Sequence, residues 1–149
     1  MRKHKGYIAV DFDGTICKHV YPYIGDPVPG AIETMKELHG LGYDLILLTM
    51  RGHMKTTRGG VLVDTLQEAI DYLTKAGVKL LSVNSNPNQL TWTSSDKVYA
   101  NVYIDDAGYG CPLIEGTNGA RDYVDWRPIR KSFGLEPLKN DDGKNVLDF

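Results

Sequence analysis

The sequence predicts an α/β fold: a mainly parallel sheet with helices packed on its faces. Three observations carry that expectation. Short apolar, β-prone runs alternate with segments whose apolar residues recur every three or four positions. The strand-like runs are close to continuously apolar rather than alternating, as in strands covered on both faces. Two of them stop abruptly at acids, and a buried strand does not end in carboxylates without a use for them.

The first strand is Tyr7-Ile8-Ala9-Val10, and it delivers Asp11-Phe12-Asp13-Gly14-Thr15. Side chains alternate along an extended chain, so Asp11 and Asp13 leave on the same side and Gly14 lets the backbone turn away. Ile16 to Pro29 is rich in Pro, Gly and aromatics, with Tyr21-Pro22-Tyr23 and Gly25-Asp26-Pro27 favouring turns. From Gly30 the pattern is helical: Ala31, Ile32, Met35, Leu38 and Leu41 share a face, and Gly40 and Gly42 end it. Tyr43 to Leu48 is the second strand, ending at Thr49. The stretch from Met50 to Gly60 reads as a basic loop with Arg51, His53, Lys55 and Arg58.

A second helix follows, with Leu62, Leu66, Ala69, Ile70 and Leu73 on one face and Gly77 as its stop. Lys79 to Asn84 is the third strand. The connection around Asn86 to Ser95 has room for a short helix at most. Asn101-Val102-Tyr103-Ile104 is the fourth strand, and it stops at Asp105 and Asp106. Cys111 to Ile114 reads as a short edge strand. Asp125 is placed to cap a helix from Trp126 to Phe133, with Pro128 in its first turn and Gly134 at its end. Residues 1–135 are therefore expected to form one domain, and the polar stretch 136–149 a flexible tail.

Right-handed crossovers put the second and third strands on one side of the first, and the fourth comes back to the other side if the strand order reverses. The reversal opens a crevice at the carboxyl ends of strands one and four, where ligands bind in open α/β sheets. Both acidic clusters sit at those ends. Two carboxylates held so close repel, and a divalent cation or a retained proton relieves them.

Global composition narrows the partners. Among 149 residues, 17 Lys and Arg face 19 Asp and Glu, for a net charge of -2 and a pI near 6.0. That balance gives no footprint for nucleic acid or an anionic membrane. Cys17 and Cys111 lie far apart without C-x-x-C spacing, so neither a disulfide framework nor a zinc site is indicated. No apolar run reaches spanning length, and the basic start is cut off by Asp11, so a soluble, cytoplasmic protein is expected.

In this order and on these elements, the motifs resemble those of the haloacid dehalogenase superfamily: Asp11-Phe12-Asp13-Gly14-Thr15, Thr49, Lys97 and Asp105-Asp106. The resemblance implies a Rossmann-like three-layer αβα sandwich and phosphomonoester hydrolysis through an aspartyl phosphate. Asp11 would be the nucleophile. Asp13 would be the general acid and base, which requires it to carry a proton when substrate arrives. Mg²⁺ would be held by Asp11, the main-chain carbonyl of Asp13, and the pair Asp105-Asp106, with Asp106 the direct ligand. Thr49 would donate to a phosphoryl oxygen and Lys97 would offset negative charge. Gly14, Thr15 and Arg51 are the candidates for holding substrate.

Against many relatives of that superfamily, the segments 16–29 and 86–96 are too short for a cap domain. The implied site is open, covered by the substrate, the Tyr-Pro-Tyr segment or a second copy in a homo-oligomer. Asp13 argues against dehalogenases, which lack the second acid, and against ATP-driven pumps, which carry threonine there. A response-regulator receiver would need an acid at the end of strand three, where Asn84 stands. The rival of a different class is a catalytically weak or inactive module that binds metal or phosphate.

Overall fold

In a computed structural model that describes residues 3–139, the chain begins with β1 (Gly6–Val10), α1 (Ala31–Leu41) and β2 (Tyr43–Leu47). A hairpin of β3 (Thr56–Arg58) and β4 (Val61–Val63) precedes α2 (Thr65–Lys75), β5 (Ser82–Val83) and a 3₁₀ turn over Pro87–Thr91. The chain then forms β6 (Val102–Ile104), a second hairpin of β7 (Leu113–Ile114) and β8 (Tyr123–Val124), and α3 (Trp126–Ser132). Residues 140–149, most of the expected tail, lie outside the described residues. Of the remainder, the Glu136 carbonyl accepts two hydrogen bonds from the buried Arg130.

Four strands pair in parallel in the order β5-β2-β1-β6, the reversal the sequence predicts. Val10 lies opposite both Leu47 and Ile104, so the three strands reach their carboxyl ends level with one another. Leu48 N–H donates to the Val10 carbonyl and Asp11 N–H to the Ile104 carbonyl, which carries the pairing into the acidic loops. This register brings Asp11, Thr49 and Asp105 out side by side.

The two faces of the sheet are covered differently. Ile8, Val10, Leu45 and Leu47 join one large core with Met35 and Leu38 of α1, Leu66, Ala69 and Leu73 of α2, and Trp126 of α3. Each fully buried side chain of this size contributes about 1.5–3 kcal/mol. Ala9 and Ile46 point the other way and meet Ala100 and Val98, in the extended chain that links β5 to β6. Helices on both faces were expected; here the return connection supplies a 3₁₀ turn instead. Its buried Gln89 satisfies the carbonyls of Ser95 and Lys97 and the Tyr99 N–H, as a helix's own backbone would otherwise do.

The second departure is at residues 56–63. Leu62 repeats with Leu66, Ala69 and Leu73 at helical spacing, yet Asp64 caps α2, accepting from Gln67 N–H, and the helix starts after it. Upstream, Gly59-Gly60 turns a hairpin with both residues at positive φ, as a two-residue loop of type I′ requires. α3 follows expectation: Asp125 caps it, and Trp126 donates its indole N–H to the Thr15 carbonyl at 2.9 Å. No helix among the described residues is long and apolar enough to cross a membrane.

Candidate functional site

Above β1 and β6 lies a cavity of about 440 Å³ whose floor holds Asp11, Asp13, Asp105 and Asp106. Asp11, Asp105 and Asp106 each offer a carboxylate oxygen, and these lie within 4.8 Å of one another. The packing that brings them together is visible at two neighbours. Thr15, fully buried, donates its hydroxyl to Asp11 Oδ2 at 3.0 Å and accepts from Asp106 N–H at 3.2 Å, tying the two loops. Gly14, at φ +86°, leaves the space that Asp106 fills: a Cβ there would stand 2.3 Å from Asp106 Oδ2. Asp105 is steadied from its own loop, accepting from Ala107 N–H at 2.9 Å.

Three carboxylates so arranged lack counter-charge. Burial, then the charge of Asp105, push the Asp11 carboxyl up to about 8, against the smaller pull of the Thr15 hydroxyl. Burial raises Asp106 as well, with Asp105 adding to it and Arg121 opposing it.

Asp13 turns away from this cluster. Arg51 grips it with Nε on Oδ2 and Nη2 on Oδ1, both at 2.8 Å. The same guanidinium donates to the carbonyls of Tyr23 and Thr65 at 2.7 and 3.2 Å, and lies between the rings of Phe12 and Tyr21. The crowding expected around Asp13 thus falls on Asp11 instead. Thr49 stands beside the pair. Its backbone N–H is held by Asn84 Oδ1 at 2.8 Å, and its hydroxyl oxygen accepts from Arg51 N–H at 3.1 Å. A hydroxyl accepting one bond keeps its own O–H for an incoming anion.

A search of solved structures finds a conserved protein from Bacteroides thetaiotaomicron with a TM-score of 0.64 and 32% identity, over 87% of this chain and 89% of that one. This chain belongs to the same family as that protein. No family model matches it, and no curated protein does.

In this member of the family the cavity gathers Asp11, Asp13, Thr49, Arg51, Asp105 and Asp106 from the residues the motifs single out. Three others stand elsewhere. Gly14 and Thr15 are buried in the frame beneath the acids, bonded through their backbones to Val124 and Trp126, and do not face the cavity. Lys97 is exposed and lines a different cavity with Trp92, Tyr99 and Tyr103, because its backbone follows the Gln89-bound connection across the opposite sheet face. In turn, the cavity includes His19, Tyr21, Met50 and Arg121, of which the motifs pointed to none. Tyr21 was readable as an aromatic near the site. Arg121 and Asn84 had no local pattern to mark them; only the fold brings them in.

Proposed function

We propose that the chain is a capless phosphatase of the haloacid dehalogenase superfamily, hydrolysing phosphomonoesters with Asp11 as nucleophile. The observation that carries the reading is the meeting of Asp11, Asp105 and Asp106 oxygens within 4.8 Å at the point of strand reversal. On this reading the sheet is a reduced three-layer αβα sandwich, one outer layer being helical and the other mostly extended chain.

The donor set suits a hard divalent cation. All the ligands on offer are oxygens, and burial first, with the charge of Asp105 second, pushes Asp11 up to about 8, a cost that a bound cation would offset. Mg²⁺ would be held by Asp11, Asp105, Asp106 and the carbonyl of Asp13. When bound, it would keep Asp11 ionised and draw charge from the phosphoryl oxygens. The chain's own residues do the remainder. Asp11 attacks phosphorus, forming an O–P bond as the ester O–P bond breaks. Asp13 would release one oxygen from Arg51 and take a proton on it from solvent as substrate enters, give that proton to the departing alkoxide, and later take one from the water that opens the acyl phosphate. Thr49 donates its O–H to a phosphoryl oxygen.

Arg51's hold on both oxygens of Asp13 favours the rival reading, a weak or inactive module that binds metal or phosphate. Phosphate release from p-nitrophenyl phosphate separates the two. Mg²⁺-dependent turnover that falls at least about 10³-fold in Asp11→Asn, and substantially in Asp13→Asn, supports the enzyme. Hydrolysis that survives both substitutions removes their roles, and no turnover across a broad phosphoester panel leaves the binding module.

A further inference from the structure

We infer that Arg121 is the cation that receives the phosphoryl group: with His19 it forms an anion subsite on the lip of the acidic cavity, doing what the motif pattern asks of Lys97. The inference rests on the phosphatase reading for its ligand. A phosphomonoester brings up to two negative charges toward three carboxylates, so the protein needs positive charge facing the substrate besides that of any bound cation.

Among the residues lining the cavity, the arginines are Arg51 and Arg121, and there is no lysine. Arg51 is spent. Four of the five N–H directions of a guanidinium are taken by Asp13, Tyr23 and Thr65, and the group is 2% exposed. It is a positioning residue. Arg121 is exposed, and its one hydrogen-bond contact described here is from Nη1 to His19 Nε2 at 3.2 Å. It lines the same cavity as Asp11, Asp105 and Asp106.

The position of Arg121 is built rather than incidental. The β7–β8 loop folds back on itself through Gly116 N–H to Asp122 Oδ1 and Ala120 N–H to the Thr117 carbonyl, both at 3.0 Å. A Cβ at Gly116 would stand 2.2 and 2.6 Å from the carbonyl oxygens of Ala120 and Arg121, so the fold-back depends on glycine. Three residues after Arg121, Val124 N–H donates to the Gly14 carbonyl at 2.9 Å. The loop carrying the arginine is thereby pinned to the loop carrying Asp11 and Asp13. A planar fork of donors also suits tetrahedral phosphate better than a lone ammonium.

The test is calorimetric binding of inorganic phosphate to the full chain with Mg²⁺ present, in wild type, Arg121→Gln, Arg121→Lys and Lys97→Ala, each checked for an unchanged melting temperature. Arg121→Gln should weaken phosphate about 10- to 100-fold, with part of the loss recovered in Arg121→Lys. The KM for p-nitrophenyl phosphate should rise with it. Phosphate affinity within twofold of wild type in Arg121→Gln would overturn the inference, as would a comparable loss confined to Lys97→Ala. Arg121→Ala replaces Arg121→Gln if the latter melts early. A wild type that binds phosphate through Arg121 yet hydrolyses no ester keeps the subsite and removes the phosphatase reading. One that turns over ester with Arg121 dispensable does the reverse.

Discussion

The two sides of the cavity floor handle negative charge in opposite ways. On one, Asp13 has both oxygens matched by Arg51, whose remaining hydrogen bonds go to backbone carbonyls and whose guanidinium carbon lies over the rings of Phe12 and Tyr21. On the other, three carboxylates offer oxygens within 4.8 Å of one another, relieved by the hydroxyl of Thr15 at Asp11 and the Ala107 amide at Asp105. The matched side is complete within the protein. The crowded side could hold a metal ion, and it is where the proposed cation and anionic substrate would sit. The same substitution logic should therefore change sign across a distance of two residues.

The largest effect is expected on the matched side. Arg51→Met leaves Asp13 beside Phe12 with no partner, and loss of one member of a buried ion pair costs about 3–5 kcal/mol. With the Asp13 side chain 13% exposed, the lower end applies. Asp13→Asn in the same protein should restore most of it, as urea unfolding of the three variants would read. A single substitution costing under about 1 kcal/mol would mean that Asp13 does not depend on Arg51 for its counter-charge.

Gly14→Ala comes next, at about 2 kcal/mol. The residue sits at φ +86°, and the new methyl would stand 2.3 Å from Asp106 Oδ2. Beyond the shift in unfolding midpoint, it should reduce the gain in melting temperature that Mg²⁺ provides, because the displaced carboxylate is one of the proposed ligands. Equal Mg²⁺ stabilisation in the variant would separate Asp106 from the metal.

On the crowded side the sign reverses. The Asp11 carboxyl ordinarily titrates near 3.8 and in the fold near about 8. Between those values the folded protein holds a proton that the unfolded chain releases. Stability is therefore full at low pH and falls as pH rises through about 8. In EDTA, wild type should lose about 1–2 kcal/mol relative to Asp11→Asn across that window, a figure reduced from the full shift because the group is partly solvated. Millimolar Mg²⁺ should remove the difference. Parallel pH profiles for the two proteins in EDTA would show that the carboxylates are not crowded as described.

The sheet was legible because its signals are local and agree. Continuous apolar runs fix Tyr43–Leu47 and the neighbouring strands, and the strand order β5-β2-β1-β6 is the reversed one that would bring the two acidic ends together. The motif acids were legible for the same reason, since they follow their strands directly. Arg51 was visible two residues after Thr49, but its partner was not, because a bond between residues 38 apart depends on tertiary packing. Arg121 and His19 are brought to the cavity by loops over a hundred residues apart. Lys97 illustrates the converse: its place in the motif order, just ahead of β6, points to the site, while Gln89's side chain routes that segment elsewhere.

The hairpin lies where two periodicities overlap in the sequence, and it yields the smallest predicted effect. Leu62 lies four residues before Leu66, so it fits the apolar face of α2; it equally fits Val61-Leu62-Val63 opposite Thr56-Thr57-Arg58 across a Gly-Gly turn. The decisive signal is Asp64, whose carboxylate accepts from Gln67 N–H and so ends any helix upstream of Thr65. On the helix, Leu62 would have joined the core. In the hairpin it is 63% exposed, whereas Leu66 is 6% exposed. Leu62→Thr keeps a β-prone side chain on a solvated strand and should change stability by less than about 0.5 kcal/mol, while Leu66→Ala should cost about 2–5 kcal/mol. Urea unfolding of the two variants reads the difference directly. A loss at Leu62 approaching that at Leu66 would return the residue to the helical face of α2 and remove the hairpin.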